Sequence, residues 1–252
     1  MFSVRKSTKF HGNANFNVLI YILLITSILI TFYGINYLVI FLSSSLLHLL
    51  IETGLTISNI RKGSTYLFGR KLSKPGEIIL RSFVEGPAFC VPAFFIADQF
   101  IAGNVLPALI SATFIVGIAA FYLAYSDNFQ LRKVKSDDDV IIIRRAMTKP
   151  KSVMLLALIN TICISMMFLI PIDSRSHAFA YLLSYSLFVV LFYFINYNMR
   201  VRYIELYDPK TMEYKKPGVL MQVGGLLYDS AYEMALLISP AYWIPYYMGI
   251  FS

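Results

Sequence analysis

The chain alternates between long apolar blocks and short polar segments, without the every-other-residue alternation of a membrane β-barrel. The apolar blocks cover roughly residues 17–35, 37–58, 82–101, 105–125, 152–171, 177–197 and 217–250. Each is near or above the ~20 residues an α-helix needs to cross about 30 Å of hydrocarbon. The pattern predicts an all-α, polytopic membrane protein, a bundle of seven transmembrane helices forming one integral membrane domain over residues 1–252. No small-residue cleavage site follows the first block, so it reads as a retained signal anchor. Pro87 and Pro92 are expected to kink the third span, and Pro240 and Pro245 to break or tilt the end of the seventh.

Composition agrees with the pattern: 58% of residues are hydrophobic, 14% are charged, and the mean hydropathy is +0.65. The net charge of +8 raises nucleic acid as a partner, but the placement of the charge argues against it. Of the 22 Lys and Arg residues, 21 fall in four polar segments: the N-terminal tail, 59–81, 126–151 and 198–216. With seven spans all four lie on one side, which the positive-inside rule makes cytoplasmic. The N-terminus is then inside and the C-terminus outside, with membrane lipids as partners through their anionic headgroups. Cys90 and Cys163 sit within apolar blocks and read as small buried hydrophobes, not as a disulfide or thiolate site.

Candidate chemistry comes from the acids inside the spans, where no Lys or Arg is expected. His48 and Glu52 lie four residues apart, one turn above the other on one helix face. Counting from the cytoplasmic ends at 1.5 Å per residue, Glu52 lies about 10 Å deep, His48 about 16 Å, Glu85 about 6 Å and Asp229 about 18 Å. Spans two, three and seven can therefore gather His48, Glu52, Glu85 and Asp229 into one cavity. Glu233 shares the face of Asp229, and Tyr228, Tyr232 and Trp243 are candidates to line the cavity. Gly224-Gly225 would let the seventh span approach a neighbour closely. Asp98, near the outer end of its span, reads as a snorkelling interface residue. A hydrogen-bonded polar core that only fixes packing is the alternative, but intramembrane ionisable groups are functional by default.

The residue inventory thins the possible chemistries. Without a lysine in any span there is no retinal Schiff base, and one intramembrane histidine does not make a zinc hydrolase site. The contiguous Asp137-Asp138-Asp139 reads as a solvated charge run, and no glycine-rich phosphate loop is present. Acids in apolar surroundings can donate protons, and aromatic faces stabilise cations. Together they suit protonation of an alkene or epoxide and passage through a carbocation, with no cofactor and no metal.

The segment His48-Leu49-Leu50-Ile51-Glu52 resembles the His-Leu-x-Ile-Glu stretch in the second span of emopamil-binding-protein-type sterol isomerases, and Glu85 falls where that family carries a further glutamate. The seven-span layout resembles the integral membrane terpene cyclases, whose early-span Glu and last-span Asp would correspond to Glu52 and Asp229. These resemblances imply an isomerase or cyclase of an isoprenoid or sterol-like lipid. Glu52 or Asp229 would be the proton donor, His48 the relay, and Glu85 the base or its partner. The rival reading is a proton-coupled transporter or a non-catalytic lipid-binding bundle.

Overall fold

The computed structural model of the chain describes residues 2–7, 11–107, 110, 140–145, 149–198, 202–208, 213–215 and 218–251. Most of the expected fourth span and the Asp137–Asp139 run lie outside the described residues. Mostly helical, the structure begins with strand β1 (Phe2–Ser7) and helices α1 (His11–Tyr33) and α2 (Asn36–Ile57), joined at Gly34. Gly34 adopts φ +105°, the left-handed conformation that lets the chain reverse in two residues. Then come strands β2 (Arg61–Lys62), β3 (Tyr66–Leu67) and β4 (Arg70–Lys71), helices α3 (Lys74–Glu85) and α4 (Pro87–Ile101), and strand β5 (Val140–Arg145). Helices α5 (Pro150–Phe168) and α6 (Ile172–Asn198), strands β6 (Arg202–Asp208) and β7 (Glu213–Lys215), and helices α7 (Val219–Glu233) and α8 (Ser239–Tyr247) complete the chain. Four helical stretches among the described residues are long and apolar enough to cross a membrane: Asn15–Tyr33, Asn36–Ile57, Lys74–Ile101 and Pro150–Phe168.

The polar segments are not plain loops. Strands from all four of the basic segments pair into one antiparallel sheet, in the order β2-β5-β1-β6-β7. Its centre is the β1–β5 ladder, in which Val4 faces Ile143 and Phe2 faces Arg145. The run Val140-Ile141-Ile142-Ile143 is β-branched and too short to span a bilayer, which is why it pairs as a strand. The sheet gathers the basic segments at one end of the helices, called the sheet end below. Beside it, β3 and β4 form a two-residue hairpin whose turn residues, Phe68 and Gly69, both have positive φ (49° and 77°). The Asn13 side chain accepts a hydrogen bond from the Phe68 N–H at 2.7 Å, and the Phe68 ring meets Phe16 edge-on, so α1 holds the turn.

The third span differs from its sequence reading in a way that matters for the site. Helix starts at Lys74, not near residue 82, because Ser73 caps it through the Gly76 N–H, Pro75 lies in its first turn, and Glu77 complements the dipole. Arg81 therefore sits inside the bundle and not in a loop.

The last block also departs from regular helix. Between α7 and α8, residues Met234–Ile238 form a π-helical turn, just ahead of Pro240. Neighbouring side chains take up carbonyls here: Asn160 donates to Ala231, Cys163 to Ala235 and Tyr181 to Ile238. Pro245 has no N–H to give the Ala241 carbonyl four residues back, and the Ser43 hydroxyl donates to it instead, at 2.8 Å.

Candidate functional site

Helix α2 sorts its residues by face. Tyr37, Phe41, Ser44, Ser45, His48, Glu52 and Leu55 are buried at helical spacing, while Leu42, Leu46 and Leu50 point outward. The Ser44 and Ser45 hydroxyls donate back to the Phe41 carbonyl, which satisfies them and keeps this face narrow. Against it lies Gly86, the hinge between α3 and α4. A Cβ on Gly86 would stand 2.6 Å from the Ser44 carbonyl oxygen and 3.3 Å from the His48 Cβ. Only glycine permits this approach, and it delivers the neighbouring Glu85 to His48.

Three ionisable groups meet here. His48 Nε2 stands 4.0 Å from Glu52 Oε1 and 3.7 Å from Glu85 Oε2. Glu52 is 1% exposed and His48 7%. The expectation of acids without an internal cation is overturned. Arg61 Nη2 reaches Glu52 Oε1 at 2.8 Å, and Arg81 Nη1 lies 3.6 Å from Glu52 Oε2. Arg81 is itself held by Glu77 Oε1 at 2.5 Å and Thr65 Oγ1 at 2.6 Å, and Thr65 donates to the same Glu77 oxygen. Lys74 closes the outer edge, bonding Glu77 and the Gly63 carbonyl. The physical reason is the cost of isolated charge: a carboxylate this deeply buried requires a partner, and α3 and β2 each bring one.

The other expected site residues fall in different places. Glu233 accepts a hydrogen bond from Tyr185 at 3.1 Å and is near enough to interact electrostatically with His48 and Cys90. Asp229 is buried on α7 one turn earlier, but the tight group comprises only His48, Glu52 and Glu85. Tyr228 and Tyr232 are half-buried on the same helix. Trp243 lies on α8, packed near Tyr247, almost three turns beyond Glu233 and away from the cluster. Gly225 is buried on α7, and a close backbone approach beside the cluster is made by Gly86.

A second polar network lies at the opposite end of α2. Asp98 accepts hydrogen bonds from Tyr37 and from His177 Nε2, the latter at 2.8 Å, and His177 Nδ1 pairs with the Tyr242 hydroxyl at 2.8 Å. Asp98 and His177, which the sequence reading did not pair, join α2, α4, α6 and α8 through this network. Among the residues that reading missed, Glu77 and Arg81 were visible in principle: with Glu85 they fall at i, i+4 and i+8 on one face of a capped helix. Arg61 had no local signal, because a two-residue strand in a distant pairing positions it.

The chain matches no family model, no curated protein and no solved structure. The chemistry is therefore argued from the cluster: a dry imidazole between two carboxylates, one of them anchored by guanidinium groups.

Proposed function

We propose that the chain is a seven-span membrane enzyme with its sheet end in the cytoplasm, an isomerase or cyclase of an isoprenoid or sterol-like lipid that works through a carbocation. The single observation that supports this most is the buried His48–Glu52–Glu85 cluster, with an imidazole poised 3.7 Å from a carboxylate inside an apolar bundle. The arginines revise the roles. Glu52, between Arg61 and Arg81, is a counter-ion that holds charge in place. Glu85, with 19% of its side chain exposed and facing His48, takes over as proton donor, and His48 relays. Asp229 and Glu233 on α7 are the candidates to accept the proton at the far side of the substrate, and Tyr228 and Tyr232 supply aromatic faces for the cation.

Mass spectrometry of lipids from cells expressing the wild type, Glu85→Gln and His48→Gln tests this. A product isomeric with its precursor, present only with the wild type, supports the reading; identical profiles in all three overturn it.

A proton-coupled transporter is the second reading, favoured by the presence of ionisable networks at both ends of α2. Between them lie the buried Cys90, Ser44 and Tyr181. Proton uptake into liposomes, lost in Glu85→Gln and in Asp98→Asn alike, would select this reading over the enzyme.

A further inference from the structure

We propose that His48, Glu52 and Glu85 form a binding site for one divalent transition-metal ion of the zinc or manganese class. The inference stands on donor geometry and does not rest on the lipid reading; with an ion bound Glu85 is a ligating carboxylate, and its proton-donor role belongs to the ion-free site.

The three residues offer one imidazole nitrogen and two carboxylate oxygens, all within 4.8 Å of one another. Donors about 2.0–2.2 Å from a shared ion stand roughly 3.3–3.6 Å apart in a tetrahedron, and up to about 4.4 Å when opposed. His48 Nε2 lies 3.7 Å from Glu85 and 4.0 Å from Glu52, beyond direct hydrogen bonding and within this range. The three donors lie no more than 4.8 Å apart, and drawing them in around one ion brings all three into coordination.

Glu52 supplies the second, independent observation. Its Oε1, the oxygen nearer His48, is oriented by Arg61 at 2.8 Å, whereas its Oε2, 3.6 Å from Arg81, is buried with no hydrogen bond, in a side chain only 2% exposed. A buried carboxylate oxygen left without a hydrogen bond is costly, and native structures seldom keep one. A carboxylate oriented from outside by Arg61 is how outer partners hold a ligating group. The imidazole is equally dry, with Nδ1 also lacking a partner.

Arg61 and Arg81 are the obvious objection, since they repel a cation. Glu77 answers half of it: it holds Arg81 at 2.5 Å, while Glu52 stands 3.6 Å from that guanidinium. Arg61 then acts as the outer partner of Glu52, and Glu85 carries the further negative charge toward the ion. One nitrogen with two oxygens favours zinc or manganese over calcium or magnesium, which prefer oxygen alone. Three protein ligands leave at least one position open, the arrangement of a site that binds something else as well.

The test uses the full chain in detergent or nanodiscs, stripped with a chelator, then titrated with Zn2+ alone by calorimetry and assayed by elemental analysis. One equivalent per chain is expected, weakened at least tenfold in His48→Gln and in Glu85→Gln and unchanged in His177→Gln. Stoichiometric binding that all three variants share equally, or no retained metal in the wild type, overturns the proposal. Should the site variants not fold, Co2+ loading of the wild type decides. Visible absorption bands of a nitrogen–oxygen cobalt site, displaced by one equivalent of Zn2+, support the proposal; the featureless spectrum of hydrated cobalt sinks it.

Discussion

A histidine stands between polar partners toward each end of α2, His48 on α2 itself and His177 on α6, and the two ends solve the same problem in opposite ways. At the end away from the sheet, both nitrogens of His177 are engaged at 2.8 Å, and aromatic rings of Phe94, Tyr181 and Tyr242 pack around the network. Every group there has a partner of neutral or matched character, and the result ties four helices together. At the sheet end, His48 stands 3.7 and 4.0 Å from its acids, Nδ1 has no hydrogen bond, and neither has Glu52 Oε2. Satisfied polar groups fix a bundle; groups held apart by a rigid scaffold retain the capacity to bind or react. The contrast teaches that residue type alone does not separate a clamp from a site.

The largest effect is expected where the sheet end is braced. Arg81→Met removes a guanidinium that is 1% exposed and leaves Glu77 and Glu52 short of positive charge. Breaking a buried pair on one side destabilises by about 3–5 kcal/mol. Thermal unfolding in micelles should show it, and adding Glu77→Gln to Arg81→Met should recover part of the loss. If Arg81→Met behaves like a surface substitution, within about 1 kcal/mol of the wild type, the site is not the dry cluster described. Next comes Gly86→Ala. Its methyl would meet the Ser44 carbonyl at 2.6 Å, a backbone atom that cannot swing aside. Overpacking of this kind costs about 1–3 kcal/mol. Because the clash lies between Glu85 and His48, Zn2+ affinity and product formation should fall by more than stability does. Equal losses in all three would reduce Gly86 to a packing residue.

Much of this was legible in the chain. The helix over residues 37–58 followed from its apolar run, and the pair His48 and Glu52 was visible as an i, i+4 couple in a greasy helix. The polar segments that the charge pattern assigned to one side do share one sheet. What the pattern could not reveal was long-range in origin. Arg61 enters the site because β2 pairs with β5 some eighty residues away, where Arg61 faces Ile143. Arg81 was hidden by hydropathy, which ends an apolar block at the first charge even when a capped, amphipathic helix continues through it. Asp98 and His177 were each read singly, and only the packing of α4 against α6 makes them a pair.

Smaller effects sharpen the other side of the comparison. His177→Gln should cost about 1–2 kcal/mol by leaving Asp98 or Tyr242 without a partner, while Zn2+ binding at the sheet end stays intact. Loss of metal binding in that variant would mean that the two ends are coupled and the contrast is false.

The smallest effect concerns Ser43, which sits between the two regions and touches neither. Its hydroxyl serves the Ala241 carbonyl that Pro245 leaves without an N–H donor. Interhelical hydrogen bonds in membranes average about 0.6 kcal/mol, so Ser43→Ala should lower stability by that order. Pro245→Ala restores a backbone donor to Ala241, and in that background Ser43→Ala should cost almost nothing. A double-mutant cycle with no coupling would show that the serine merely fills space, and that the helix tolerates the proline by local adjustment. A coupling near the single-mutant value would establish that side chains on α2 stand in for the missing backbone bonds of the last helix. That exchange allows α2 to lie close along a broken helix and carry His48 toward Glu233.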